Sequence, residues 1–229
     1  MKLLAVALLS LLPLSFLPLS AETLHYSVNW PSGLSLGEAE ISSVAPTGAS
    51  GQETPWSFMA SLDASLPGFP LRDHYSSTAT SGFCSLSLIK EFEHGGHKGS
   101  EKETFHSDTN TVTRETRPNG GKTDLQVSPC AKDAITFLGF LRHELAQGRM
   151  APAQAVVFGA VYQVRAEFMG TQEIKVSDRR TEADKIQINF KGPASDYTFE
   201  LYFSKDPART PVLARLPLPL GAFTVELIH

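Results

Sequence analysis

Apolar side chains recur at every second residue along most of this chain. Leu24, Tyr26, Val28 and Trp30 alternate with His25, Ser27 and Asn29, and Trp56, Phe58, Ala60 and Leu62 with Ser57, Met59, Ser61 and Asp63. The pattern returns at Tyr162–Phe168, Ile186–Phe190, Tyr197–Phe203 and Phe223–Leu227. Successive side chains of a strand point to opposite faces, so each run has one apolar and one polar face. Strands of this kind suit an antiparallel sheet with one face buried and the other wet. Turn-forming groups separate the runs at Gly95-Gly96, Pro118-Asn119-Gly120-Gly121, Ser177-Asp178-Arg179 and Lys205-Asp206-Pro207. The expected architecture is mainly β, with roughly a dozen strands, a width at which a sheet curls, splits or closes. It is a single antiparallel, strongly curved sheet or β-barrel.

One segment departs from this period. Between Asp133 and Gln147, Ala134, Phe137, Leu138, Leu141 and Leu145 fall at helical spacing, and Ile135 and Phe140 widen the stripe. Either Ser128-Pro129 or Asp133 starts this amphipathic helix, and Gly148 stops it. It is expected to pack on the sheet or cap one end of it. Arg142 and Glu144 read as its solvated outer side.

The first residues read as an address. Lys2 precedes an apolar stretch from Leu3 to Leu19, broken by Pro13 and Pro18 and closed by Ser20 and Ala21. This is the layout of a secretory signal peptide. Two prolines in so short a segment argue against a membrane span, which needs about 20 apolar residues. The expected organisation is a signal peptide over residues 1–21 and one β domain over residues 22–229. The mature chain should be exported to the periplasm, the cell envelope or beyond, with no membrane span. In an oxidising compartment Cys84 and Cys130 are expected to pair. Such a bridge stabilises a fold by about 4 kcal/mol in the chain-entropy model. A reactive thiol would want a neighbouring base or a Cys-x-x-Cys spacing, and neither is evident in the sequence.

Composition narrows the function classes. The 20 Lys+Arg against 24 Asp+Glu give a net charge of -4, which disfavours a nucleic-acid partner. Hydrophobic residues at 41% can support a core, so disorder is not expected.

Read in order, the pattern resembles the DUF3108 family, exported bacterial proteins of unknown function. The resemblance rests on Tyr26-Ser27-Val28-Asn29-Trp30, Gly37-Glu38-Ala39, Asp73-His74-Tyr75 and Phe105-His106-Ser107-Asp108. It continues through Asp133-Ala134, Phe137-Leu138 and Leu141-Arg142 in the helix. Ser204-Lys205-Asp206, Thr210-Pro211, Leu220-Gly221 and Val225-Glu226-Leu227 complete it. The resemblance implies an antiparallel β architecture in the cell envelope and brings no catalytic residues. The cysteine pair is not expected of the family at large and marks a subgroup.

Few residues carry a chemical signal. His94 and His97 flank a Gly-Gly turn, and a metal site there would lack an evident third ligand, His106 lying on the following strand. Asp73, His74 and Tyr75 have no nucleophile beside them beyond the generic Ser76 and Ser77. No Gly-x-Ser-x-Gly elbow or His-Glu-x-x-His helix occurs. The expectation is therefore no catalysis, no cofactor and no metal. The sheet's apolar face either forms a filled core or leaves a cavity for an apolar or lipid-like molecule. In the second case Phe137, Leu141, Tyr197, Phe199 and Phe203 are the expected lining. In the first, the chain is a structural or interaction module with an envelope protein as partner.

Overall fold

The computed structural model describes residues 21–47, 54–66, 69–193, 195–218 and 221–228. The expected signal peptide thus lies outside the described residues, apart from Ala21. The first strands are β1 (Glu22–Asn29), β2 (Ser35–Val44), β3 (Trp56–Leu66), β4 (Phe69–Ala79) and β5 (Ser85–His94). They are followed by β6 (His97–His106), β7 (Thr111–Arg117), β8 (Lys122–Gln126) and β9 (Lys132–Asp133). After the helix α1 (Ala134–Ala146) come β10 (Gln154–Phe158), β11 (Ala160–Val176) and β12 (Arg179–Lys191). The chain ends with β13 (Asp196–Ser204), β14 (Pro211–Leu218) and β15 (Gly221–Leu227).

All fifteen strands join one sheet in the order β8-β7-β6-β5-β4-β3-β2-β1-β15-β14-β13-β12-β11-β10-β9. It is a double meander in which β1 and β15, the first and last strands, pair antiparallel at the centre. Two features correct the sequence expectation, and a third decides between its curved-sheet and barrel alternatives. The described residues form fifteen strands where roughly a dozen were expected, because short elements such as β9 are too brief to show alternation. The sheet is mixed, since β9 and β10 run parallel. The helix between them supplies the crossover that parallel pairing requires. Among the described residues no ladder joins β8 to β9, so the sheet is curved and open.

The curvature brings distant parts together. The Ser85 N–H in β5 donates to the Ala131 carbonyl beside β9 at 3.2 Å, and Arg114 Nη1 in β7 donates to the Gly159 carbonyl at 2.6 Å. The disulfide Cys84–Cys130 forms as expected and spans the same seam, with its Cα atoms 4.5 Å apart. A register shift in β11 between Phe168 and Thr171 swaps the faces of that long strand. Its far end then curls over β15, where Ser177 Oγ donates to the Leu227 carbonyl at 3.2 Å.

The apolar stripes do not converge on one interior. Phe137, Leu141 and Leu145 of α1 pack with Val156, Val164, Ile186, Ile188 and Phe203. A second cluster joins Tyr26, Ile174, Val176, Tyr202, Leu213 and Leu227. Tyr202 and Phe203 are consecutive on β13, so the sheet is buried on both faces there. A third, aromatic group gathers Phe58 and Phe83 with Trp56 and Phe140. Each such buried side chain contributes about 2 kcal/mol.

Both ends of α1 follow the sequence. Asp133 is the N-cap, its carboxylate accepting from the backbone N–H groups of Ile135 and Thr136 at 2.9 Å. Gly148, at φ 70°, ends the helix in the left-handed conformation that glycine takes without strain. Among the described residues no helix is long and apolar enough to cross a membrane.

Candidate functional site

An open cleft of about 670 Å³ lies between α1, the start of β1 and β3, and the β13–β14 turn. Its wall is aromatic. Trp56 stacks on Phe58 at 5.5 Å and on Phe83 at 5.1 Å between ring centroids. Phe83 also meets Phe140 at 6.0 Å and His143 at 5.1 Å. Four residues of α1 turn towards the cleft: Gly139, Arg142, His143 and Ala146. Their spacing of three and four places them on one helix face, beside the face that carries Phe137 and Leu141. A Cβ at residue 139 would stand 2.9 Å from the Phe58 ring, so glycine lets α1 approach this closely.

The charge in the cleft is neutralised within the chain. Arg142 makes a two-pronged pair with Glu22, at 2.6 and 3.0 Å, and donates to the carbonyls of Ala208 and Arg209. It is therefore no solvated residue, contrary to the sequence reading. Glu144 is buried as well, and Arg149 holds it through two hydrogen bonds of 2.9 and 2.7 Å. That contact lowers the Glu144 pKa. With Arg142 paired to Glu22, the cleft sets its aromatic wall against a polar rim that includes Thr23, Ser43 and His143.

The lining residues expected from sequence lie elsewhere. Phe137, Leu141 and Phe203 are fully packed in the core under α1. Phe199 is partly buried and stacks on Phe190 at 5.4 Å, while Tyr197 is exposed, 6.0 Å from Tyr162. None of the five borders the cleft. Trp56 and Phe58 were visible as a strand pattern, but nothing in sequence marks Phe83, a turn residue with φ 58°.

Beside the cleft, the seam is polar. The wholly buried Asp133 accepts at Oδ2 from Ser77 Oγ (2.6 Å), Ser85 Oγ (2.7 Å) and Thr136 Oγ1 (2.8 Å). Lys132, 2% exposed, donates to the Cys130 carbonyl at 3.1 Å and to Gln154 Oε1 at 2.7 Å. Burial pushes its pKa down to about 8. Glu103, 1% exposed, has neither carboxyl oxygen hydrogen-bonded among the described residues. Burial, aided by the nearby carboxylates of Glu101 and Asp133, raises its pKa to about 8.

A further cluster lies on β4 and β5. Asp73 accepts from the Tyr75 hydroxyl at 3.0 Å and pairs with His94 Nε2 at 2.7 Å. Lys90 Nζ is 3.9 Å from Asp73 and 5.3 Å from the centres of both the Tyr75 and Phe92 rings. Burial and the Asp73 carboxylate raise the Tyr75 pKa, keeping the phenol protonated as a donor. His94 is thus engaged with Asp73, while His106 Nε2 lies 3.1 Å from Thr113 Oγ1. Among the described residues no three His, Cys, Asp or Glu side chains are gathered as a metal ion would need.

A family model described as "Protein of unknown function (DUF3108)" matches residues 25–228. No curated protein matches the chain. Among solved structures, a similar one is the "Beta-barrel-like Protein of Domain of Unknown Function DUF1849 from Brucella abortus". The two are 9% identical with a TM-score of 0.58, over 93% of this chain and 97% of that one. At that identity the likeness is one of fold.

Proposed function

The chain belongs to the DUF3108 family, and we propose that it is a non-enzymatic protein of the cell envelope that holds an apolar, lipid-like molecule in the cleft between α1 and the sheet. The observation that carries this reading is the cleft itself. Its volume of about 670 Å³ matches a small-molecule site, and Trp56, Phe58 and Phe83 give it an apolar wall. Covering such a wall gains about 25 cal/mol for each Å² removed from water. The Arg142–Glu22 pair ties up that guanidinium, and the aromatic wall suits an uncharged chain or ring of the ligand. The signal-peptide pattern of residues 1–21 supports the envelope as the place of work.

Native mass spectrometry of the purified chain, followed by solvent extraction, tests the reading. A bound apolar molecule is expected, and Ala146→Trp should abolish it. Ala146 is exposed at the cleft's outer end, so a bulky side chain there fills the space without disturbing the core. A chain that binds nothing when offered phospholipid, free fatty acid and neutral lipid would overturn it.

A second reading, an envelope interaction module, draws on β8. Among the described residues this edge strand pairs only with β7, which leaves one side open to a partner strand. Crosslinking in the envelope from residues Lys122–Gln126 would reveal such a partner.

A further inference from the structure

We propose that Cys84–Cys130 is a redox-active pair, in which Cys130 is the leaving sulfur when a dithiol reductant attacks Cys84. The argument starts from Lys132. Its ammonium is buried and, among the described residues, no carboxylate pairs with it, burial being the sole cause that depresses its pKa. Its neighbours are neutral: the Cys130 and Gln154 oxygens and the Phe140 ring, whose centre is 4.5 Å away. The remaining contact is Cys130 Sγ, 3.6 Å from Nζ. Breaking the disulfide would place a thiolate at that spot, giving the buried cation the anion it lacks. A thiolate stabilised by a neighbouring ammonium leaves more readily, because the rate of exchange rises as the leaving thiol's pKa falls.

The pair is also reachable. Cys130 is exposed and Cys84 half-buried. One thiolate of the reductant bonds to Cys84 Sγ as the Sγ–Sγ bond breaks, and its electron pair goes to Cys130, held by Lys132. The reductant's second thiol loses its proton to water and attacks its own sulfur in the mixed disulfide. Cys84 leaves as a thiolate and takes a proton from water. The protein pair gains two electrons, and the dithiol becomes a disulfide. The covalent tie between the β4–β5 turn and the entry to β9 is then gone, leaving the Ser85–Ala131 hydrogen bond and the Asp133 network to hold the seam. The sequence rule sought a Cys-x-x-Cys spacing or a base and passed over Cys130-Ala131-Lys132, because only the fold shows that this lysine is buried without a counterion.

The test uses Cys84→Ser, which leaves Cys130 as a lone thiol, with iodoacetamide alkylation followed by mass spectrometry across pH. Its midpoint should lie at least about one unit below the ordinary thiol value of about 8.5. Adding Lys132→Met should raise that midpoint and slow alkylation at pH 7 by about fivefold to tenfold. An ordinary midpoint that Lys132→Met does not move would overturn the proposal. Reduction of the native disulfide by dithiothreitol supplies a second measurement if Cys84→Ser does not fold. The native chain should then react about tenfold faster than Lys132→Met, and equal rates would overturn the assignment.

Discussion

Ser85 and Asp133 hold each other by two hydrogen bonds. The Asp133 N–H donates to Ser85 Oγ at 2.9 Å, and the same hydroxyl donates to Asp133 Oδ2 at 2.7 Å. Ser85 opens β5 and Asp133 closes β9, so the exchange continues the seam begun by the Ser85 N–H on the Ala131 carbonyl. The other carboxyl oxygen of Asp133 caps α1. One side chain thereby couples the start of the helix to the curl of the sheet.

Asp133→Ala should therefore cost more than an ordinary N-cap. It removes the cap and leaves the hydroxyls of Ser77, Ser85 and Thr136 without their shared acceptor in a buried site. Summing the two effects gives about 4 kcal/mol, read by urea unfolding. Asp133→Asn keeps the capping oxygen and should cost about half as much. Equal losses in the two variants would show that the cap retained by asparagine contributes little and that the hydroxyl network alone matters.

Glu103 predicts a pH dependence. Its pKa is raised to about 8 in the folded chain, against an ordinary carboxyl value when unfolded. The unfolded chain thus loses this proton first. The associated stability is complete below about pH 4.5 and is lost as pH rises towards 8. The loss is at most about 5 kcal/mol. Glu103→Gln mimics the protonated acid and should flatten this part of the stability profile, so that its advantage over the native chain grows from pH 5 to pH 9. Parallel profiles for the two proteins would show that Glu103 does not titrate in this range.

Gly37 marks a close approach of backbones. A Cβ there would stand 2.0 Å from the Asp63 carbonyl oxygen and 2.5 Å from Ala64 Cα, in the β2–β3 ladder. Both obstacles are main chain and cannot rotate aside. Gly37→Ala should destabilise by about 3 kcal/mol, the upper range for forced packing. Gly33→Ala makes a useful control. Its Cβ would meet nothing within 4 Å, and only the positive φ of 86° opposes it, at about 1 kcal/mol.

The strands and the helix were legible because each carries its period in the side chains. Tyr26, Phe58, Val164 and Ile188 are all buried where alternation puts them, and Asp133 and Gly148 bound α1 as their chemistry requires. The candidate cleft was not legible. Phe203 and Leu141 belong to the apolar stripes of their elements that meet under α1, so they fill the core and leave no room beside them. A cleft wall is made instead by residues that the core leaves over, such as Trp56 at the start of a strand and Phe83 in a turn. Their meeting depends on long-range curvature, set in part by the Phe168–Thr171 register shift and the seam at Ser85, which no local pattern encodes. Arg142 was misread for the same reason, since its partner Glu22 lies 120 residues away.

The distinction between core and cleft can be measured directly by comparing Phe203→Ala with Trp56→Ala. Phe203 is fully buried, and truncating it leaves a cavity under α1 that should cost about 4 kcal/mol. Its distance from the cleft lining means that the folded variant should keep whatever the native chain binds. Trp56 is half-buried and contributes mainly its stacking on Phe58 and Phe83, at about 1 kcal/mol for each ring pair. Trp56→Ala should therefore lose only about 2 kcal/mol in urea yet release the bound molecule in native mass spectrometry. The reverse outcome, with occupancy lost in folded Phe203→Ala and kept in Trp56→Ala, would move the binding site to the packed face of the helix.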